Sequence, residues 1–158
     1  MSRFLAFDLG AESGRALVEH LAGDRLTLAP VHRFANTPRQ IDGTLRWDVD
    51  ELWRQMRQAL TLATEPLTSI GVDTWGCDYA LLDAGGGLVE QPYHYRDHRT
   101  DGVMDRVLAR LGRARVYDTT GVQFLPFNTL FQLAAALGSA LPPVPRCCGA
   151  GLCLKSLP

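Results

Sequence analysis

Phe4-Leu5-Ala6-Phe7-Asp8-Leu9-Gly10-Ala11-Glu12-Ser13-Gly14-Arg15 stands near the start of the chain. A short apolar run with two aromatic rings ends in an acid. A glycine-flanked turn follows. The run's length and aromatic content predict a buried strand rather than a helix. Residues 15–21 then read as a second strand. Gly23-Asp24 marks a turn, and residues 26–34 return as a third strand. Three successive strands joined by tight turns predict an antiparallel meander. The turn after Asp8 is no P-loop, because no Gly-Lys-Ser/Thr follows. It is no dinucleotide fingerprint either, because a strand rather than a helix comes next.

Beyond the meander the period changes. Val49, Leu52, Trp53, Met56, Leu60 and Ala63 recur at helical spacing, with Asp48 as cap and Glu51 three residues on. Ile70-Gly71-Val72 is expected to be a buried strand, and residues 79–82 another, closed by Asp83-Ala84-Gly85-Gly86-Gly87. Val103, Met104, Val107, Leu108 and Leu111 form a helical stripe with Gly112 as a C-terminal cap. Asn128 can cap a last helix carrying Leu130, Phe131, Ala134 and Leu137, with Gly138 at its end. Strands followed by interleaved helices predict a mixed α/β domain.

At 158 residues the chain can build one domain with a real core. A net charge of -1 offers no long-range attraction for nucleic acid or for an anionic membrane. No apolar run reaches membrane-span length, and residues 1–8 lack the layout of a signal peptide, so a cytoplasmic protein is expected. Residues 139–158 differ from the rest. They hold three of the four cysteines and Lys155, the sole lysine, and no acid follows Asp118. Uneven cysteines argue against a disulfide scaffold. Cys148 and Cys153 have zinc-like spacing but no second ligand pair, so zinc is not expected there. We read 138-158 as an atypical tail, disordered or out of frame, after a body at 1-137.

Four segments can carry chemistry. In the first, Gly10 and Gly14 let the backbone fold tightly and present N–H groups to an anion, Ser13 adds a hydroxyl and Arg15 a fixed charge. Asp8 could hold a metal ion directly or through water. A hairpin with a polar tip explains these residues as well. The second is Gly71-Val72-Asp73-Thr74-Trp75-Gly76-Cys77-Asp78-Tyr79. Carboxylates bond sugar hydroxyls, an indole covers an apolar sugar face, and Gly76 admits a close ligand; a hairpin with acids at its ends is the structural alternative. The third, Tyr93-His94-Tyr95-Arg96-Asp97-His98-Arg99-Thr100, reads as a surface salt-bridge cluster or an anion site. His94 and His98 are four apart, but Pro92 argues against the helix a metal pair would need. His20 and His32 lie in strand-like runs and are expected to be structural. In the fourth, Gly121-Val122-Gln123-Phe124-Leu125-Pro126-Phe127-Asn128-Thr129-Leu130, packing plus a helix cap suffices.

Together and in this order, the four segments resemble the rhamnulokinase branch of the FGGY carbohydrate kinases, over residues 3 to 137. The resemblance implies an incomplete ribonuclease-H-like domain of the actin- and hexokinase-like ATPases, a mixed sheet with flanking helices. It implies transfer of the ATP γ-phosphoryl to L-rhamnulose, giving L-rhamnulose 1-phosphate in rhamnose catabolism, with Mg²⁺ as metal. A related ketose kinase of the L-fuculokinase kind, or a non-catalytic sugar- or phosphate-binding remnant, are the alternatives. Ala11, Glu12, Ser13, Gly14 and Arg15 align with the family's ATP-phosphate turn. Asp8 aligns with the acid that places metal and phosphate. Gly76 aligns with a sugar-binding position, with Trp75 and Asp78 beside it. The family's general base is an Asp in a His-Asp-Thr segment further on, and this sequence has no His-Asp pair. The chain by itself is therefore expected to be an inactive N-terminal part, with a sugar and ATP as its partners. Its oligomeric state is left open.

Overall fold

The computed structural model describes residues 2–138 and the backbone of 146–149. The tail reading and the zinc question at Cys148 and Cys153 thus lie almost wholly outside the described residues. The chain divides into two compact units, residues 1–38 with 48–76, and residues 39–47 with 77–158.

The first unit is a four-stranded sheet with one helix. β1 (Ser2–Leu9), β2 (Ser13–Ala22), β3 (Arg25–Ala35) and β6 (Ser69–Thr74) lie in the order β3-β2-β1-β6. β1, β2 and β3 form the expected antiparallel meander, and β6 adds parallel to β1. Alternation sends Leu5, Phe7 and Leu9 to one face of β1. There they join Ala16, Val18, Phe34 and Ala59 in a buried core. α1 (Val49–Leu62) covers that core with Leu52, Met56 and Ala59, and Ala63 just beyond its end also packs there. Asp48 caps it as expected, its carboxylate accepting from the Glu51 N–H at 3.0 Å.

Two sequence expectations fail here. Trp53 belongs to the helical stripe but is exposed, because positions 52, 56, 59 and 63 define the inward face and 53 falls beside it. Ile70 and Val72 are 52% and 54% exposed rather than buried. β6 has β1 on one side and no partner strand on the other among the described residues. Its apolar sequence is that of an interior strand, and its place in the sheet among the described residues is an edge.

The second unit holds the hairpin of β4 (Arg39–Ile41) and β5 (Thr44–Arg46), and β7 (Tyr79–Leu82) paired antiparallel with β8 (Arg146–Gly149). A 3-10 turn at His98–Thr100 precedes α2 (Val103–Leu111), α3 (Arg113–Thr120) and α4 (Thr129–Gly138). Val103, Leu108, Val116 and Phe131 form its helical core. Gly112 ends α2 at φ 83° and starts α3 directly. No apolar period in residues 113–120 announces α3, whose eight residues bury only Val116. β6 and β7 belong to different sheets, so the hairpin alternative for residues 71–79 does not hold.

Gly14 is required by packing. A Cβ there would overlap the ring of buried Phe34. Gly14→Ala should therefore cost about 1–3 kcal/mol through overpacking. Urea unfolding checks this; an unchanged midpoint would show that the ring moves aside freely.

Candidate functional site

In the first unit, the turn between β1 and β2 is closed by the Gly10 N–H donating to the Ser13 carbonyl at 2.9 Å. Asn36, just past β3 and buried, holds the turn from below. Its backbone N–H donates to the Glu12 carbonyl at 3.0 Å. Its side-chain amide donates to the Gly10 carbonyl at 2.8 Å. A trans peptide points its N–H opposite to its C=O, so the Ala11 N–H faces away from Asn36. Asn36 was not singled out in the sequence; only the β2–β3 register brings it under the turn.

Beside the turn, register assembles a row of charge. Asp8 on β1 is opposite Arg15 on β2 and opposite Asp73 on parallel β6. Directly paired residues project from the same face of a sheet. Arg15 donates from Nη2 to Asp8 Oδ2. Both side chains are partly open to solvent, at 55% for Arg15 and 41% for Asp8. Asp73 accepts from the Thr74 N–H at 3.0 Å. Hard carboxylate oxygens open to water are the donor set that Mg²⁺ takes, so the residues present fit that ion. Trp75 packs against the core of this unit. Gly76 is exposed, with open space where a Cβ would stand.

The second unit places Asp78 in a buried polar network. Asp78 is 1% exposed. Its Oδ2 accepts from Trp47 Nε1 at 2.6 Å, and its Oδ1 from Gln132 Nε2 at 2.7 Å. Gln132 Nε2 also reaches the carbonyls of Cys77 and Phe127, and its Oε1 accepts from Arg99 Nη2 at 2.8 Å. Arg99 lies over the Tyr93 ring at 3.8 Å, and Arg46 lies over the same ring at 3.4 Å. Asp97 accepts from the N–H groups of Leu45 and Arg99. The third segment is thus no surface salt-bridge cluster: His94 and Asp97 are buried, while His98 pairs with Asp101 on the outside. Asn128 starts α4 with its carbonyl, which accepts from Phe131 and Gln132, while its side chain donates to the Gln123 carbonyl.

His94 stacks on Trp47 with ring centroids 4.0 Å apart, and its Nδ1 accepts from the Arg96 N–H at 2.9 Å. Burial, aided by the Arg96 charge, lowers its pKa from 6.5 to about 4. Burial raises the Cys77 thiol to about 11, with the Asp78 charge adding to the effect. That keeps Cys77 a thiol at neutral pH and removes it as a nucleophile.

Residues 3–134 match the N-terminal domain of the FGGY family of carbohydrate kinases. The chain belongs to that family. The rhamnulokinase of Pectobacterium atrosepticum is 50% identical in a match 143 positions long that covers 85% of this chain and 28% of that protein. A Klebsiella pneumoniae rhamnulokinase is 49% identical over 136 residues, again reaching 28% of its length. The chain therefore spans about 28% of the length of these curated relatives. Among solved structures, xylulose kinase from Lactobacillus acidophilus superimposes with TM-score 0.73 at 14% identity, over 88% of this chain and 29% of that one. A carbohydrate kinase from Novosphingobium aromaticivorans gives 0.70 at 21% identity, over 93% and 32%. At such identities the likeness establishes the fold, the actin- and hexokinase-like α/β architecture. No helix among the described residues is long and apolar enough to cross a membrane.

Two outcomes test the buried network. Trp47→Phe removes one donor from a buried carboxylate and should cost about 1–3 kcal/mol in urea unfolding. His94 titrates near 4 when folded and near 6.5 when unfolded. The unfolded state thus binds the extra proton between those values. Stability should be full above pH 6.5 and fall as pH drops toward 4, with a slope approaching about 1.4 kcal/mol per pH unit. Unfolding from pH 7 to 4.5 should show that fall, and His94→Gln should flatten it.

Proposed function

We propose that this chain supplies the phosphate turn and the ketose-binding stretch of an ATP-dependent rhamnulokinase acting in the cytoplasm. The observation that carries the reading is the Arg15–Asp8–Asp73 row beside the glycine turn, in a chain about half identical to rhamnulokinases. In this reading Ala11, Glu12, Ser13, Gly14 and Arg15 receive ATP phosphates, with the Ala11 N–H directed away from Asn36. Asp8 would hold Mg²⁺, directly or through water, and the ion would neutralise charge on the phosphates. Gly76, with Trp75 and Asp78 near it in the chain, serves the sugar. Asp78 contributes as a buried anchor for the start of β7 rather than as an open hydroxyl acceptor, since both its oxygens are engaged.

The reaction is an in-line displacement. The O1 hydroxyl of L-rhamnulose forms a bond to the γ-phosphorus, the bond from that phosphorus to the β–γ bridging oxygen breaks, and ADP leaves. The hydroxyl proton passes to a base. The aspartate of the family's His-Asp-Thr segment fills that role, and this sequence holds no His-Asp pair. Phosphoryl transfer depends on positioning and charge neutralisation. The present residues meet part of that need and supply no base.

The 158-residue chain should accordingly release no ADP in a coupled assay with ATP, Mg²⁺ and L-rhamnulose. Ketose-dependent ADP release by the chain alone would overturn that. Joined to the remaining length of a rhamnulokinase relative, it should favour L-rhamnulose over L-fuculose and L-xylulose by kcat/KM. Preference for another ketose would reassign the substrate. In that joined enzyme Asp8→Asn should lower kcat roughly a hundredfold or more, the scale of losing a charge-stabilising group.

A further inference from the structure

A second place in the protein combines a cavity with unneutralised positive charge. Within the unit of residues 39–47 and 77–158, a cleft of about 390 Å³ is lined by Tyr93, Arg99, Val103, Arg106 and Ala134, among others. That volume suits a small organic ligand. Two guanidinium groups line it, and no carboxylate does so among the described residues.

Three acids of this unit are engaged elsewhere. Asp97 accepts from the backbone N–H groups of Leu45 and Arg99, and Asp101 pairs with His98. Glu90 is paired with Arg46. Arg99 gives one Nη2 bond to the neutral amide oxygen of Gln132, and its Nε is buried with no partner among the described residues. A buried donor on a cation with no acceptor is costly, so the charge of Arg99 is not neutralised by the protein groups around it. Arg106 has no carboxylate partner among the described residues and stands on the exposed side of α2. α2 begins at the cleft with Val103 and α4 ends there with Gly138, so the two helix dipoles oppose each other. The guanidinium charges remain.

We propose that this cleft binds a small phosphate monoester, its phosphoryl group between Arg99 and Arg106 and its carbon skeleton against Val103 and Ala134. A dianion matches two fixed cations, and a guanidinium fork matches phosphate oxygens in geometry. No residue of the glycine turn lines the cleft, and the proposal does not depend on the kinase reading.

Calorimetry on the whole 158-residue chain tests this at fixed ionic strength, with inorganic phosphate, glucose 1-phosphate and acetate as probes. Both phosphates should bind, the ester more tightly, and acetate should give no heat. Arg106→Gln should weaken phosphate binding about tenfold or more, the factor a lost charge-assisted bond carries. Because Arg106 is exposed, the variant should keep its circular dichroism. Arg110→Gln, exposed on the same helix and absent from the cleft lining, should leave this binding unchanged. Absence of phosphate binding overturns the proposal. So does binding that survives Arg106→Gln and disappears in Arg15→Gln, which would place the anion at the turn.

Discussion

The position of β1 between an antiparallel and a parallel neighbour is the constraint on which the first unit depends. One face of the strand carries Leu5, Phe7 and Leu9 into the core. Strand period then forces Asp8 onto the opposite face. The meander sets Arg15 beside it on one flank, and the parallel pairing sets Asp73 beside it on the other. A slip of one residue in either pairing would send the partner through the sheet. Burial of Leu5 and Phe7 forbids that slip for β1. The same hydrophobic contacts that fold the unit therefore fix which charges meet beside the turn.

The second unit reaches order by a different route. Its core includes a carboxylate, an amide and an indole bonded to one another. Asp78 is tolerated in the interior because Trp47 and Gln132 donate to both of its oxygens. Gln132 in turn ties α4 to the chain just before β7 through the Cys77 carbonyl, and to Arg99 through its own oxygen. Such a network is directional, so it specifies one arrangement where apolar packing alone would allow several. The neutral state of His94 belongs to the same design: a ring stacked on Trp47 and accepting an N–H has little use for a second proton.

Much of this was legible in the sequence where the signal is local. The meander follows from short apolar runs broken by Gly10 and Gly23, and α1 from its spacing and the Asp48–Glu51 cap. What stayed hidden depends on long-range pairing. Nothing near Ile70 says that its strand will be an edge rather than an interior one. Asn36 is an unremarkable polar residue until β3 returns it beneath Gly10 and Glu12. Asp78 and Gln132 are 54 residues apart and meet only through tertiary packing. The Tyr93-to-Thr100 segment misled for the same reason. Four charged or titratable residues in a row, Arg96 to Arg99, look like surface, yet His94 and Asp97 have partners beside β5, on the 3-10 turn and in their own loop.

In the glycine turn, the demand of packing can be told apart from the proposed phosphate role. Gly14 is fixed by the Phe34 ring above it, a packing requirement that any sheet with that ring would impose. Its presence therefore carries no information about phosphate. Gly10 is pressed less, since a Cβ would come 3.0 Å from the Ser13 carbonyl oxygen. Residues that folding does not require are the ones that favour the proposed anion. Arg15 and Asp8 remain largely in water, where an ion pair adds little to stability. Asp73 brings a second carboxylate to Asp8 on the neighbouring strand, a mildly unfavourable placement for folding alone. In the proposed reading, a surface that keeps such a cost next to a positive side chain would suit a cation and a phosphate arriving together, because each arrival would neutralise what the other leaves exposed.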